Sequence, residues 1–260
     1  DAQTRRRDLK RLAAIRASSV SEHHFPRLAT RAGQAPTILD SPPLIYHPRA
    51  EGNESLQVLA REALAGYRKS LPDDRRALLD RFDLADVALK VVGVGSVGTR
   101  CIVALMTAGE KDRLFLQMKE AGPSVLEAYA GRSTYPNHGQ RVVNGYRLMQ
   151  SASDILLGWM KTRHGRHFYV RQLRDMKIGA PVERFGAGKM VEYAELCGWA
   201  LARAHARSGT SAQISAYLGD SDAFDTAVAA FAQAYADQTE RDHAVFKQAV
   251  RAGHLKAILE

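Results

Sequence analysis

The stretch ALKVVGVGSVGTRCIVALMTAGEKDRLFLQMKEAGPSVLE, residues 88–127, decides how this chain is read. An apolar, β-branched run ending at Val92 feeds a glycine-rich turn, Gly93-Val94-Gly95-Ser96-Val97-Gly98. A second apolar run spans Cys101 to Met106. A third spans Leu114 to Met118 and ends in Lys119 and Glu120, with Gly109 between the two. Glycine has no Cβ, so backbone amides there can approach phosphate oxygens closely. A lysine at the end of a later strand reaches the same oxygens as a point charge. The residues point to a nucleotide-phosphate site. The plainer alternative stands beside it, because a lone GxGxxG also occurs in structural turns.

Two folds could use such a site. In a dinucleotide fold the turn opens a helix, and an acid about 20 residues on binds the ribose. Glu120 follows Gly98 at a compatible distance. In a kinase-like fold the turn joins two antiparallel strands and the lysine comes from the third. Thr99, Cys101, Ile102 and Val103 favour strand, since β-branched side chains lose rotamer freedom in a helix. Leu114, Leu116 and Met118 alternate with Phe115, Gln117 and Lys119, a period of two that sends Lys119 to the face opposite the leucines. The pattern predicts three antiparallel strands.

Composition sets the outer bounds. The 260 residues, 45% of them hydrophobic, suffice for one domain of two lobes or for two small domains. There is no run of 18 apolar residues, so no membrane partner is expected, and no secretory signal is visible. The chain begins with Asp1, which reads as a processed start or as part of something longer. Cys101 and Cys197 lie in apolar runs and read as buried thiols of a cytoplasmic protein. The net charge of +9 favours anionic partners. Only Arg5-Arg6-Arg7 forms a basic run, and no aromatics interleave with it, which disfavours nucleic acid.

Along the chain, residues 1–19 predict a basic surface helix. The proline-rich residues 21–48 predict an extended segment. His23-His24 tempts a metal reading, but neighbouring side chains point apart and no third ligand is obvious. Ser55 to Lys69 and Pro72 to Phe82 predict helices, the second with Asp73 and Asp74 in its first turn. Ser124 is a candidate cap for a short helix carrying Glu127, and residues 131–140 read as loop. Arg141 to Ser151 is helix-like. Leu156 to Trp159 and His167 to Leu173 predict a hairpin around residues 162–166. From Lys189 onward only helix is expected. The reading is α+β, in three parts: a helical and extended N-terminal segment over 1–84, a small antiparallel-sheet lobe with the glycine-rich loop over 85–180, and an all-helical lobe over 181–260, with a cleft between the lobes.

Several segments together carry a resemblance: VVGVGSVGTR, FLQMKEA, residues 141–159, FYVRQLRDMK, CGWALARAHARSG, YLGDSDAFD and FAQAYADQ. From about Pro43 to Gly253 the chain resembles the bacterial domain-of-unknown-function family 2252. That family is remotely similar to protein kinases and aminoglycoside phosphotransferases. The resemblance implies the kinase-like form, with ATP as cofactor. Gly93, Gly95, Ser96 and Gly98 would then belong to the phosphate-covering loop, and Lys119 would hold the α- and β-phosphates. Glu127 would be the helix partner of Lys119, with Glu120 the alternative. Two departures stand out. Gly145-Tyr146-Arg147 replaces the usual Gly-Gln-Arg, and Ser208-Gly209-Thr210 replaces the usual Ser-Gly-Asp, which voids any role for an acid at 210.

The resemblance also implies that the catalytic and metal-binding acids lie upstream of the glycine loop, as in a circularly permuted kinase. Segments of the form Gly-Asp-x-His-x-x-Asn-Phe-Gly and Asn-Asp-Phe-Asp do not occur here. The expectation is therefore a kinase-like ATP-binding protein, a phosphotransferase whose catalytic residues are unknown. Its partners would be a nucleotide and an upstream segment of the same protein, and magnesium would be bound only with that segment present. This chain alone is expected to be inactive, with no metal ligands of its own. The alternatives are a pseudokinase-like nucleotide-binding or scaffold protein, and a dinucleotide-dependent oxidoreductase. The last requires a helix directly after Gly98.

Overall fold

The structure is a computed structural model. It describes residues 36–48, 56–93, 98–109, 112–173 and 180–256. The helix expected over 1–19 and the pair His23-His24 lie outside these residues, as do Gly95 and Ser96. The chain divides into two compact units, Asp1–Ala204 and His205–Glu260.

The first unit is built on one antiparallel sheet. Its strands are β1 (Ile45–Tyr46), β2 (Asp83–Lys90), β3 (Cys101–Ala108), β4 (Asp112–Glu120), β5 (Gly158–Lys161) and β6 (His167–Gln172). They lie in the order β1-β2-β3-β4-β6-β5, and every pairing is antiparallel. The three expected strands are β2, β3 and β4. The segment after Gly98 is strand, not the helix that a dinucleotide fold requires. Its β-branched residues pair with both neighbours, so their stiff side chains fit the pleat.

Alternation divides the sheet into two faces. On one face Val87, Ile102, Ala104, Leu116, Met118, Phe168 and Val170 form the main core. The helix α1 (Leu56–Ser70) covers that core with Ala60, Ala63, Leu64 and Tyr67. Tyr67 is fully buried and its hydroxyl donates to Leu156 O at 2.6 Å. Ser70 Oγ accepts from Trp159 N at 2.9 Å, which ties β5 to α1. Gly158 is required at this junction, because a Cβ there would stand 2.8 Å from the Tyr67 ring. On the other face Ala88, Val103, Leu105 and Phe115 pack with Ile38 and Ile45. A bulge between Leu84 and Asp86 turns the Asp86 carboxylate to this side. There it accepts from Ile38 N at 2.7 Å and Val87 N at 2.8 Å, and lies 3.1 Å from His47 Nε2.

The remaining helices of this unit are α2 (Asp73–Leu79), α3 (Glu127–Ala130), α4 (His138–Met149) and α5 (Ala187–Ser208), whose last turn belongs to the second unit. The acids Asp73 and Asp74 do occupy the first turn of α2. α4 starts inside the expected loop, because Asn137 Oδ1 accepts from Gln140 N at 3.1 Å and caps it. α4 lies against β6 at Gly139, where a Cβ would come within 2.1 Å of Phe168 O. The second unit holds α6 (Ser211–Leu218) and α7 (Ala223–Arg251). No strand occurs after residue 187 among the described residues, as the sequence predicts. No helix of the described residues is long and apolar enough to cross a membrane.

Candidate functional site

The site lies where β2, β3 and β4 end together. β2 ends at Lys90, the glycine-rich segment follows, and β3 begins at Cys101. Gly98 has φ of 82°, a left-handed conformation that only glycine adopts without strain. Cys101 pairs with Lys119 of β4, Lys119 with Tyr169 of β6, and Tyr169 with Trp159 of β5. These four side chains form a row across one face, at the end of the sheet where β3 begins after Gly98. Leu89 pairs with Ile102, so Lys90 joins the Cys101 side of the pleat.

A second row, Val103, Gln117 and Arg171, runs beneath the first. Arg171 donates through Nε and Nη2 to Gln117 Oε1, both at 3.1 Å. Gln117 Nε2 donates to Cys101 Sγ at 3.4 Å. Burial pushes the Cys101 thiol up, against the Gln117 bond and the nearby charges of Lys119, Lys90 and Arg171. The thiol is therefore neutral, with three cations gathered about it. Tyr169 is pushed up to about 12 by burial and by Tyr146, whose ring centroid lies 6.1 Å away. Lys119 and Lys90 have no ion-pair partner among the described residues. A half-buried face with unpaired amines suits an anionic ligand.

The other candidates go elsewhere. Glu120 points to the opposite face, as a strand neighbour of Lys119 must. Its carboxylate accepts from Arg100 N at 3.0 Å and Arg166 Nη1 at 2.9 Å. Burial opposes ionisation of Glu120, but these bonds and the two arginine charges outweigh it and lower its pKa. It is a structural anion rather than a ribose ligand. Glu127 does sit on a helix after β4, but it makes no ion pair with Lys119. Its carboxylate accepts from Ser124 N at 3.3 Å, and Ser124 Oγ accepts from Leu126 N at 3.3 Å. These bonds close the turn from Ser124 to Glu127 that leads into α3 and turn the Glu127 carboxylate toward Ser124. Gly93 ends the described part of β2's extension, and Gly95 and Ser96 lie outside the described residues.

Lys90, Gln117, Tyr169 and Arg171 were not among the residues singled out from the sequence. The period-two pattern that oriented Lys119 also orients Gln117. Applied to β6, it would place Tyr169 and Arg171 on one face. Among the described residues no group of three or more His, Cys, Asp or Glu side chains could hold a metal ion. His167 Nδ1 accepts from His138 N at 3.2 Å, in the first turn of α4.

No curated protein and no solved structure matches the chain. One family model does, over residues 1–249, and the chain therefore belongs to the family described as an uncharacterized protein conserved in bacteria, domain of unknown function 2252 (DUF2252).

Proposed function

We propose that this chain is a kinase-like ATP-binding protein whose phosphate site lies between the glycine segment and Lys119. The observation that carries the reading is the Cys101–Lys119 register, which sets an unpaired amine at the end of the sheet where β3 begins after Gly98. Lys90 and Arg171 on the same face add positive charge where the β- and γ-phosphates would lie. Backbone amides of the glycine segment would supply donors, and Lys119 a point charge.

Within this reading, phosphate transfer to an acceptor is one possibility, and nucleotide binding without turnover is the other. The position of Glu127 favours the second. An active kinase needs its strand lysine paired to a helix glutamate, and here that glutamate accepts from the Ser124 amide instead. The face also carries cations rather than the acids that magnesium prefers, so binding should depend little on magnesium.

Thermal melting with ATP, and separately with NAD, tests the reading. ATP at ten times its Kd stabilises by about 1.4 kcal/mol and should raise Tm measurably. Lys119→Met should abolish the rise while leaving the ligand-free Tm within about 2 °C of wild type, since a change at a half-buried surface position away from caps and core moves stability by about 0.5 kcal/mol or less. No shift with ATP, alongside a clear shift with NAD, would sink the proposal.

A further inference from the structure

The opposite face of the sheet holds a cavity of about 410 Å³ between α1 and the strands. That volume is within the range of small-molecule sites, roughly 300–1,000 Å³. It exists because α1 presents small side chains there, Ala60 and Ala63, over Ile102 and Phe168. Its walls are mostly apolar, with Thr162 and His164 also lining it. Its rim carries Arg100 and Arg166, and no acid is among the described residues that line it. Both guanidiniums bond to one carboxylate, Glu120, at 3.4 and 2.9 Å. Glu120 is 16% exposed, whereas Arg100 and Arg166 are 50% and 47% exposed. Two cations thus share one anion. Each guanidinium has five N–H donors and gives only a fraction of them to Glu120.

We infer that this cavity binds a medium-chain fatty acid, with its tail between α1 and the sheet and its carboxylate on Arg100 and Arg166. The charge count selects a single carboxylate. A neutral hydrocarbon would leave the surplus positive charge to solvent alone, and a dianion would stand against Glu120. Arginine's planar fork suits a carboxylate, and desolvating the tail supplies affinity in proportion to its apolar area. The cavity lies on the face away from Lys119, so the inference does not rest on nucleotide binding.

Calorimetric titration of the full chain with decanoate, and in parallel with decanol, tests it in the absence of nucleotide. Decanoate should bind, and decanol at least tenfold more weakly. Arg166→Gln should weaken decanoate about tenfold and leave decanol unchanged, because the surplus charge is gone while Arg100 still holds Glu120. Ala63→Met, which fills the cavity, should weaken both ligands. The inference is overturned by no binding of decanoate at millimolar concentration, by equal binding of the two ligands, or by an Arg166→Gln chain that binds decanoate as wild type does.

Discussion

Lys119 and Glu120 are adjacent in the chain, and the pleat alone gives them opposite work. One stands in the row with Cys101 and Tyr169, and the other clamps two arginines. That division is legible in the sequence, because the alternation of Leu114, Leu116 and Met118 fixes the parity of every residue in the strand. The Arg171–Gln117–Cys101 chain of bonds is not legible, since it depends on the register of strands distant in sequence. Glu127 shows a different limit. Its place on a short helix was readable, but its carboxylate had a nearer partner in Ser124, and local bonds of this kind win over long-range ion pairs through smaller entropic cost. Two histidines titrate in opposite senses. At His47, burial favours the neutral form, but the hydrogen bond to Asp40 and the charge of Asp86 outweigh it and raise the pKa. Its stabilisation is complete below about pH 6.5 and is lost as pH rises through the folded value. At His167, burial and then the neighbouring His138 and Lys161 lower the pKa. Its Nδ1 must stay unprotonated to accept from the first turn of α4, so its stabilisation is present above about pH 6.5 and is lost as pH falls. Melting temperatures across pH should show His47→Gln most costly under acid conditions and His167→Gln most costly near neutrality and above. Identical pH profiles for the two variants would refute both assignments.

At the scale of elements, strands were the most readable, because period two over five or more residues has few imitators. Helix ends were less so. Asn137 looks like loop from sequence, yet its side chain starts α4 three residues before the apolar run suggests. The two-residue β1 carries no periodicity at all, and tertiary pairing alone makes it a strand. Glycine spacing drew attention to residues 93–98, while the two glycines with the tightest packing, Gly139 and Gly158, sit in segments where nothing marked them. Gly139→Ala should destabilise by about 1–3 kcal/mol, because the methyl meets the Phe168 carbonyl, a backbone atom that cannot swing aside. Gly145→Ala, in the same helix with open space around it, should instead stabilise slightly, by about 0.5–1 kcal/mol. Urea denaturation of the pair separates contact from propensity. Equal effects of the two substitutions would mean that α4 does not rest on β6.

Over the whole molecule, helix after residue 187 was legible, while the burial of its apolar stripes was not. Phe224, Val228, Phe231 and Tyr235 fall at helical spacing along α7, and they are exposed. Periodicity reports which side chains lie on one side of a helix and is silent on what covers them. The sheet has its own unfinished boundary. Among the described residues β1 pairs outward with only Leu89 and Lys90 of β2, and further along that margin side chains take the backbone groups. Asp86 takes the Val87 amide, and Gln57 Nε2 donates to the Ala85 carbonyl at 3.1 Å. A bare strand margin is a template on which another copy can continue the sheet, and proteins commonly block it with bulges and inward charge. Asp86 supplies both, on a bulge of its own. Asp86→Ala should therefore do more than loosen Ile38. It should release the Val87 amide and open the margin to a second copy, visible as light scattering that rises with concentration well below the melting temperature. An Asp86→Ala chain that melts lower yet stays clear would show that the margin is guarded by its bulge alone.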